Sequence, residues 1–132
     1  MREKIILLSA LIVLGAAAVI LILKQPDARF DGERISDQDS FALRFDRMNG
    51  SDSETIGFQK GDMLHVSWQI ENGSVDIVIG QENEDPVYQA NDRPAGDKAD
   101  FFVMIPQTGS YTITVSAQKA KGKISFLKTS NE

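Results

Sequence analysis

Cysteine is absent from this 132-residue sequence, and histidine and tryptophan occur once each, at His65 and Trp68. Without cysteine there is no disulfide framework, thiol nucleophile, cysteine-bound zinc or iron–sulfur cluster. With one histidine, any histidine-assisted nucleophile or histidine metal site has to use His65. Ser67 follows it on the same face of a strand, yet alternate strand residues stand about 7 Å apart, too far for a direct hydrogen bond. No G-x-S-x-G stretch occurs either. No catalytic residue is assigned, and the chain is expected not to be an enzyme. Basic residues are also short, with 14 Lys and Arg against 19 Asp and Glu, for a formal net charge of −5. An acidic chain repels polyphosphate, so no nucleic-acid partner is expected. The length leaves room for one domain of about 100 residues.

What the sequence does have is unevenly spread. Of the 19 residues from Ile5 to Leu23, 17 are hydrophobic and none is charged. As a helix this run would span about 28 Å, close to the ~30 Å hydrocarbon core of a bilayer. A cleaved signal peptide would have an apolar stretch of about 7–15 residues ending in a small-x-small site. Here Gly15-Ala16-Ala17-Ala18 lies inside the run, and Lys24-Gln25-Pro26-Asp27-Ala28 beyond it lacks such a site. The run is therefore expected to be a retained signal anchor in the lipid bilayer, with cleavage as the alternative. Residues 1–29 carry a net charge of +2 and residues 30–132 a net of −7. The expected layout is a short basic N-terminus (1–4), a transmembrane anchor (5–23), a juxtamembrane linker (24–39) and one domain (40–132). The short basic end is placed inside, which puts the domain outside the cytoplasm at the cell membrane.

After residue 40 the apolar residues alternate with polar ones, the period of half-buried strands. Phe41, Leu43 and Phe45 form one such set, and Met48-Asn49-Gly50-Ser51 after it predicts a turn. Leu64, Val66, Trp68 and Ile70 form a second, and Val75, Ile77 and Ile79 a third. Asn72-Gly73 between the last two predicts a β-hairpin over 63–80, because a tight two-residue turn needs positive φ at both central positions. Phe101–Ile105 is a strongly apolar strand, followed by Pro106-Gln107-Thr108-Gly109-Ser110. Tyr111, Ile113, Val115 and Ala117 alternate again, and Lys121-Gly122 predicts a turn into a last strand with Ile124 and Phe126. Seven or eight short strands at this spacing, with no helical period, predict an all-β antiparallel sandwich, jelly-roll-like, behind one N-terminal transmembrane helix. Its inward faces are expected to hold Phe41, Phe45, Trp68, Ile77, Phe102, Tyr111 and Phe126.

The stretch from Gly61 to Ile124 resembles a GOLD-type sandwich domain and the bacterial prepeptidase C-terminal type of β-sandwich. The residues that carry the likeness are Gly61-Asp62-Met63-Leu64, Trp68, Gly73–Ile79, Val87-Tyr88, and above all Phe102–Ile113 with its Pro106-x-x-Gly109-x-Tyr111 turn. The resemblance implies a binding or adaptor module beside a membrane or an enzyme. The anchor here is N-terminal and cysteines are missing, so cargo adaptation is not carried over, and no functional residue maps across.

Candidate sites follow from the loops. Glu82, Glu84, Asp85, Asp92, Asp97 and Asp100 fall in two loops around Tyr88. Carboxylates on converging sandwich loops can hold calcium, which takes several oxygen ligands. Asp85, Asp92, Asp97 and Asp100 are the candidate ligands for it, with solvated loops as the default reading. The Asp37-Gln38-Asp39 and Asn49–Glu54 stretches are similar, weaker candidates. Protein-partner contact is expected through Glu82, Glu84, Tyr88 and Arg93. Tyr88, flanked by polar loops, is the aromatic expected to be exposed. Lys119, Lys121, Lys123 and Lys128 are read as protection of a C-terminal edge strand, or as contacts to anionic head groups. The expected function is a membrane-anchored binding or adaptor module without cofactor; the alternative is a calcium- or carbohydrate-binding cell-surface sandwich.

Overall fold

The computed structural model describes residues 29–129. The expected anchor at 5–23 and the segments beside it up to residue 28 lie outside the described residues. Among the described residues no helix is long and apolar enough to cross a membrane. The strands are β1 (Arg29–Asp37), β2 (Ser40–Phe58), β3 (Met63–Gly80), β4 (Tyr88–Pro94), β5 (Lys98–Met104) and β6 (Gly109–Thr129). Every pairing is antiparallel. Part of the stretch expected as linker is therefore β1, which pairs with β2 along its whole length.

The expected hairpin over 63–80 is not formed. β3 runs on through Asn72-Gly73, and both of its halves pair with β6. The turns expected at Asn49-Gly50 and Lys121-Gly122 are likewise passed through by continuous strands. The three signals mark one common feature, a corner at which three neighbouring strands fold over together. Register breaks fall at Phe45/Met48 and Met48/Gly50 in β2, and at Ile70/Asn72 and Asn72/Ser74 in β3. Such irregularities bend a strand and raise its twist. Gly73 has a φ of 74°, and a Cβ there would stand 2.3 Å from the Lys119 carbonyl oxygen. Glycine is required because the backbones of β3 and β6 touch at the bend.

Folding over turns one continuous sheet into two layers, from six strands rather than the seven or eight expected. One layer has the order β1, β2 (40–45), β6 (122–129), β3 (63–70), β5. The other has β2 (50–58), β6 (109–117), β3 (74–80), β4. The alternation seen in the sequence then places one side chain in two between the layers. Phe41, Leu43, Phe45, Leu64, Val66, Ile124 and Phe126 face Ile56, Val75, Ile77, Ile79, Tyr111 and Ile113, all essentially buried. Each such side chain contributes about 1.5–3 kcal/mol by leaving water, which supplies a core without covalent staples. Phe102 departs from the expected core. Ala99, Phe101 and Val103 take the inward positions of β5, and Phe102 on the other face is 55% exposed.

Local contacts close the ends. Tyr111 donates its hydroxyl hydrogen to the Gln107 carbonyl at 2.5 Å, pinning the Pro106–Tyr111 turn to its own strand. At the open edge Arg34 of β1 reaches across to Asp52 of β2, at 2.6 Å, and Glu54, at 2.9 Å, and lies over the Phe41 ring. The Asp52 hydrogen bond pushes the guanidinium up from its ordinary value, against the opposing effect of burial. β6 is paired on both sides, so its lysines do not guard an edge.

The β1–β2 turn is held by Asp37, whose carboxylate accepts the Asp39 N–H at 2.8 Å and the Ser40 hydroxyl at 2.9 Å. These bonds, the Asp39 N–H first, hold the Asp37 carboxyl below the ordinary value of 3.8. A lowered folded-state value stabilises the turn above the unfolded value and is lost as pH falls through the lowered one. A side-chain carbon NMR titration is therefore expected to give Asp37 a midpoint below 3.8, with the Asp39 amide losing its exchange protection over the same range. An unshifted midpoint would refute the bond.

Candidate functional site

The outward face of the five-stranded layer carries a groove of about 740 Å³. Its make-up follows from strand register, since residues opposite one another in adjacent strands share a face. One row across the strands reads Ile35, Ala42, Ser125, Ser67, Asp100. Three small residues in the middle of this row leave the space that is the groove floor. The next row reads Glu33, Arg44, Lys123, Gln69, Lys98 and forms a cationic wall. On the other side of the floor row, beside the groove and not in its lining, lies Leu127, His65, Phe102, continued by Met63 and Met104. Phe102, Met104 and Leu127 are all largely exposed, as is Ile35 at the end of the floor row. Apolar side chains gathered on one face are the less usual observation; scattered single ones are not.

His65 and Phe102 stack with ring centroids 4.7 Å apart, and the His65 Nε2 is 2.6 Å from Asp100 Oδ1. The imidazole is thus fixed between a ring and a carboxylate. Among the described residues no hydrogen bond joins His65 to Ser67, and the polar side chains of Ser67, Ser125 and Gln69 make none with protein. Their donors and acceptors are open to solvent on this face. Trp68, on the inward face of the same layer, is 6% exposed and donates its Nε1 hydrogen to Asp97 at 2.7 Å. It supports the floor from below.

The sequence-expected residues are distributed otherwise. Among the described residues no three His, Asp or Glu side chains are grouped to hold a metal ion. Asp85 stands in the exposed turn between β3 and β4. Asp92, with a φ of 53°, gives its N–H to Asp76, Asp97 takes the Trp68 hydrogen bond, and Asp100 faces the groove. Glu82 and Glu84 are exposed in the β3–β4 loop. Tyr88 and Arg93 are half-buried on β4 instead. Tyr88 packs on Phe101 at 5.0 Å, closing the edge between the layers, and burial pushes its phenol up from 10.0. Arg93 is turned to Asp97, at 3.8 Å. Tyr88 is therefore less open than expected, and Phe102 is the aromatic that faces solvent. Of the expected residues only Asp100 lies at the groove. Sequence reasoning missed Phe102 because Phe101 and Phe102 are adjacent. Only the parity set by Ala99 and Val103 tells which one points out.

No family model and no curated protein matches the chain. Among solved structures, TmCBM61 in complex with β-1,4-galactotriose superimposes with a TM-score of 0.43 at 14% identity, covering 71% of this chain and 66% of that one. A CBM4 structure superimposes with a TM-score of 0.43 at 11% identity, covering 77% and 76%. A mutant Bacillus subtilis oxalate decarboxylase gives 0.29 at 16% identity, covering 82% and 32%. The chain thus spans just under two thirds of the first of these. Likenesses of this size carry nothing about ligand or site residues, and the resemblance to GOLD-type and prepeptidase C-terminal-type domains rests on the residues quoted for it.

Proposed function

We propose that this chain is a glycan-binding module, tethered to the membrane by residues 5–23, with the groove of the five-stranded layer as its site. One observation carries the reading. A floor of small residues lies between an exposed Phe102–His65 stack and a row in which Gln69, Lys98 and Lys123 have no protein partner among the described residues. A sugar ring presents the matching pair of surfaces, a C–H face that packs on an aromatic ring and a rim of hydroxyls that bonds to amides, hydroxyls and charges. A peptide strand would need an open sheet edge or deep side-chain pockets, and this face is the broad side of a sheet. The exposed loop glutamates Glu82 and Glu84 are left as a second surface, for a protein partner.

Ser67→Trp puts an indole into the middle of the floor. Glycan binding by the full chain, measured by affinity gel electrophoresis, is expected to fall at least about 30-fold, roughly 2 kcal/mol of affinity. The thermal midpoint should stay within a few degrees, since Ser67 faces solvent. Undiminished binding in a folded Ser67→Trp chain would sink the assignment of the groove.

A further inference from the structure

We infer that the glycan is anionic, a polymer of hexuronate residues, and that Lys98 and Lys123 take its carboxylate from either side of Gln69. This rests on the groove being the glycan site, and it names the class of sugar. Lys123 and Lys98 are the register partners of Gln69 on the two strands that flank β3. At a strand spacing of about 4.8 Å their Cα atoms stand roughly 10 Å apart, a gap two lysine stems close around one carboxylate. Neither ammonium group has a protein partner among the described residues, whereas Lys121 pairs with Glu71 and Lys128 with Asp39. The Gln69 amide between them supplies a further donor at the same height.

The two acids at the groove each have a protein partner. Glu33 is 3.4 Å from Arg44, and Asp100 is bound to His65. A neutral sugar would cover two free ammonium groups with hydroxyls alone. A carboxylate adds the opposite charge, so that donor and acceptor are both ionised and the ammonium groups are neutralised as well as hydrogen-bonded. The chain as a whole carries −5 and does not attract polyanions. Affinity for one must therefore arise from a local arrangement of cations, and this row provides it.

The test compares three probes on the full chain by titration calorimetry: polygalacturonate, a neutral galactan of matched length, and poly-L-glutamate. Polygalacturonate is expected to bind, with an affinity that falls as salt rises. The double variant K98A/K123A should weaken it about 30-fold or more, and K98R/K123R should recover most of the loss. Both positions are on the solvent side of the sheet, so folding is preserved and is checked by the thermal midpoint. If the galactan binds as tightly, is lost in Ser67→Trp and is indifferent to the lysine variants, the uronate assignment is overturned while the glycan site stands. If neither polysaccharide binds, both are overturned. If poly-L-glutamate matches polygalacturonate, the row is a general polyanion site and the sugar assignment is overturned.

Discussion

Gly73→Ala is expected to lower the stability of the domain by on the order of 3 kcal/mol, a large part of the margin of a fold this size. A Cβ at residue 73 would meet the Lys119 and Gln118 carbonyl oxygens at 2.3 and 2.4 Å, and the φ of 74° disfavours any L side chain. Both clashes are with backbone, so neither can be relieved by turning a side chain, and the β3 and β6 bends would have to separate. The two possible chain paths differ in outcome. In a free two-residue hairpin turn the same change costs about 1 kcal/mol, the ordinary difference between glycine and alanine at positive φ. Urea denaturation of the variant decides between them, a loss near 1 kcal/mol restoring the hairpin.

Arg34→Ala is the second large effect, at about 2–3 kcal/mol, or roughly 10–20 °C in thermal midpoint for a domain of about 100 residues. The cost arises from what is left behind. The Asp52 side chain is 7% exposed and loses its cation, keeping only the Ser53 N–H at 2.8 Å. Removal of one partner from a fully buried pair costs about 3–5 kcal/mol; the lower value here reflects the exposed part of Arg34. Asp52→Asn in the Arg34→Ala background removes the stranded charge and is expected to return part of the loss. A loss under 1 kcal/mol, with no rescue by Asp52→Asn, would make the contact an ordinary surface ion pair.

Much of the fold was legible because its core obeys a period of two. Phe41 to Phe45, Leu64 to Ile70, Val75 to Ile79 and Tyr111 to Ala117 alternate as expected and are buried as expected. The path of the chain was not legible, for a physical reason. Asn72-Gly73 serves either a tight turn or a bend in which two backbones touch, and the sequence signal is the same in both. The choice depends on β6, some 50 residues away in sequence, which lies along both halves of β3. The groove was hidden for a similar reason. Ala42, Ser67 and Ser125 are unremarkable residues in three separate segments, and only register sets them side by side. Lys98 and Lys123 are 25 residues apart in sequence, and only register sets Gln69 between them. The loop carboxylates are concentrated in sequence, yet folding turns Asp97 to Trp68 and leaves Asp100, alone among the candidate calcium ligands, at the groove.

β2, β3 and β6 each belong to both layers, so the two layers share their central strands and the melting of one is coupled to the other. The groove lies on one layer, but its three central strands are also the strands of the second. A ligand that holds the groove is thus linked, through these shared strands, to unfolding of both layers. At a hundredfold excess over Kd such linkage adds about 2.7 kcal/mol to the stability of the whole. If the groove is the glycan site proposed above, melting temperature becomes a gauge of its occupancy, and a graded rise with added sugar is the expected result.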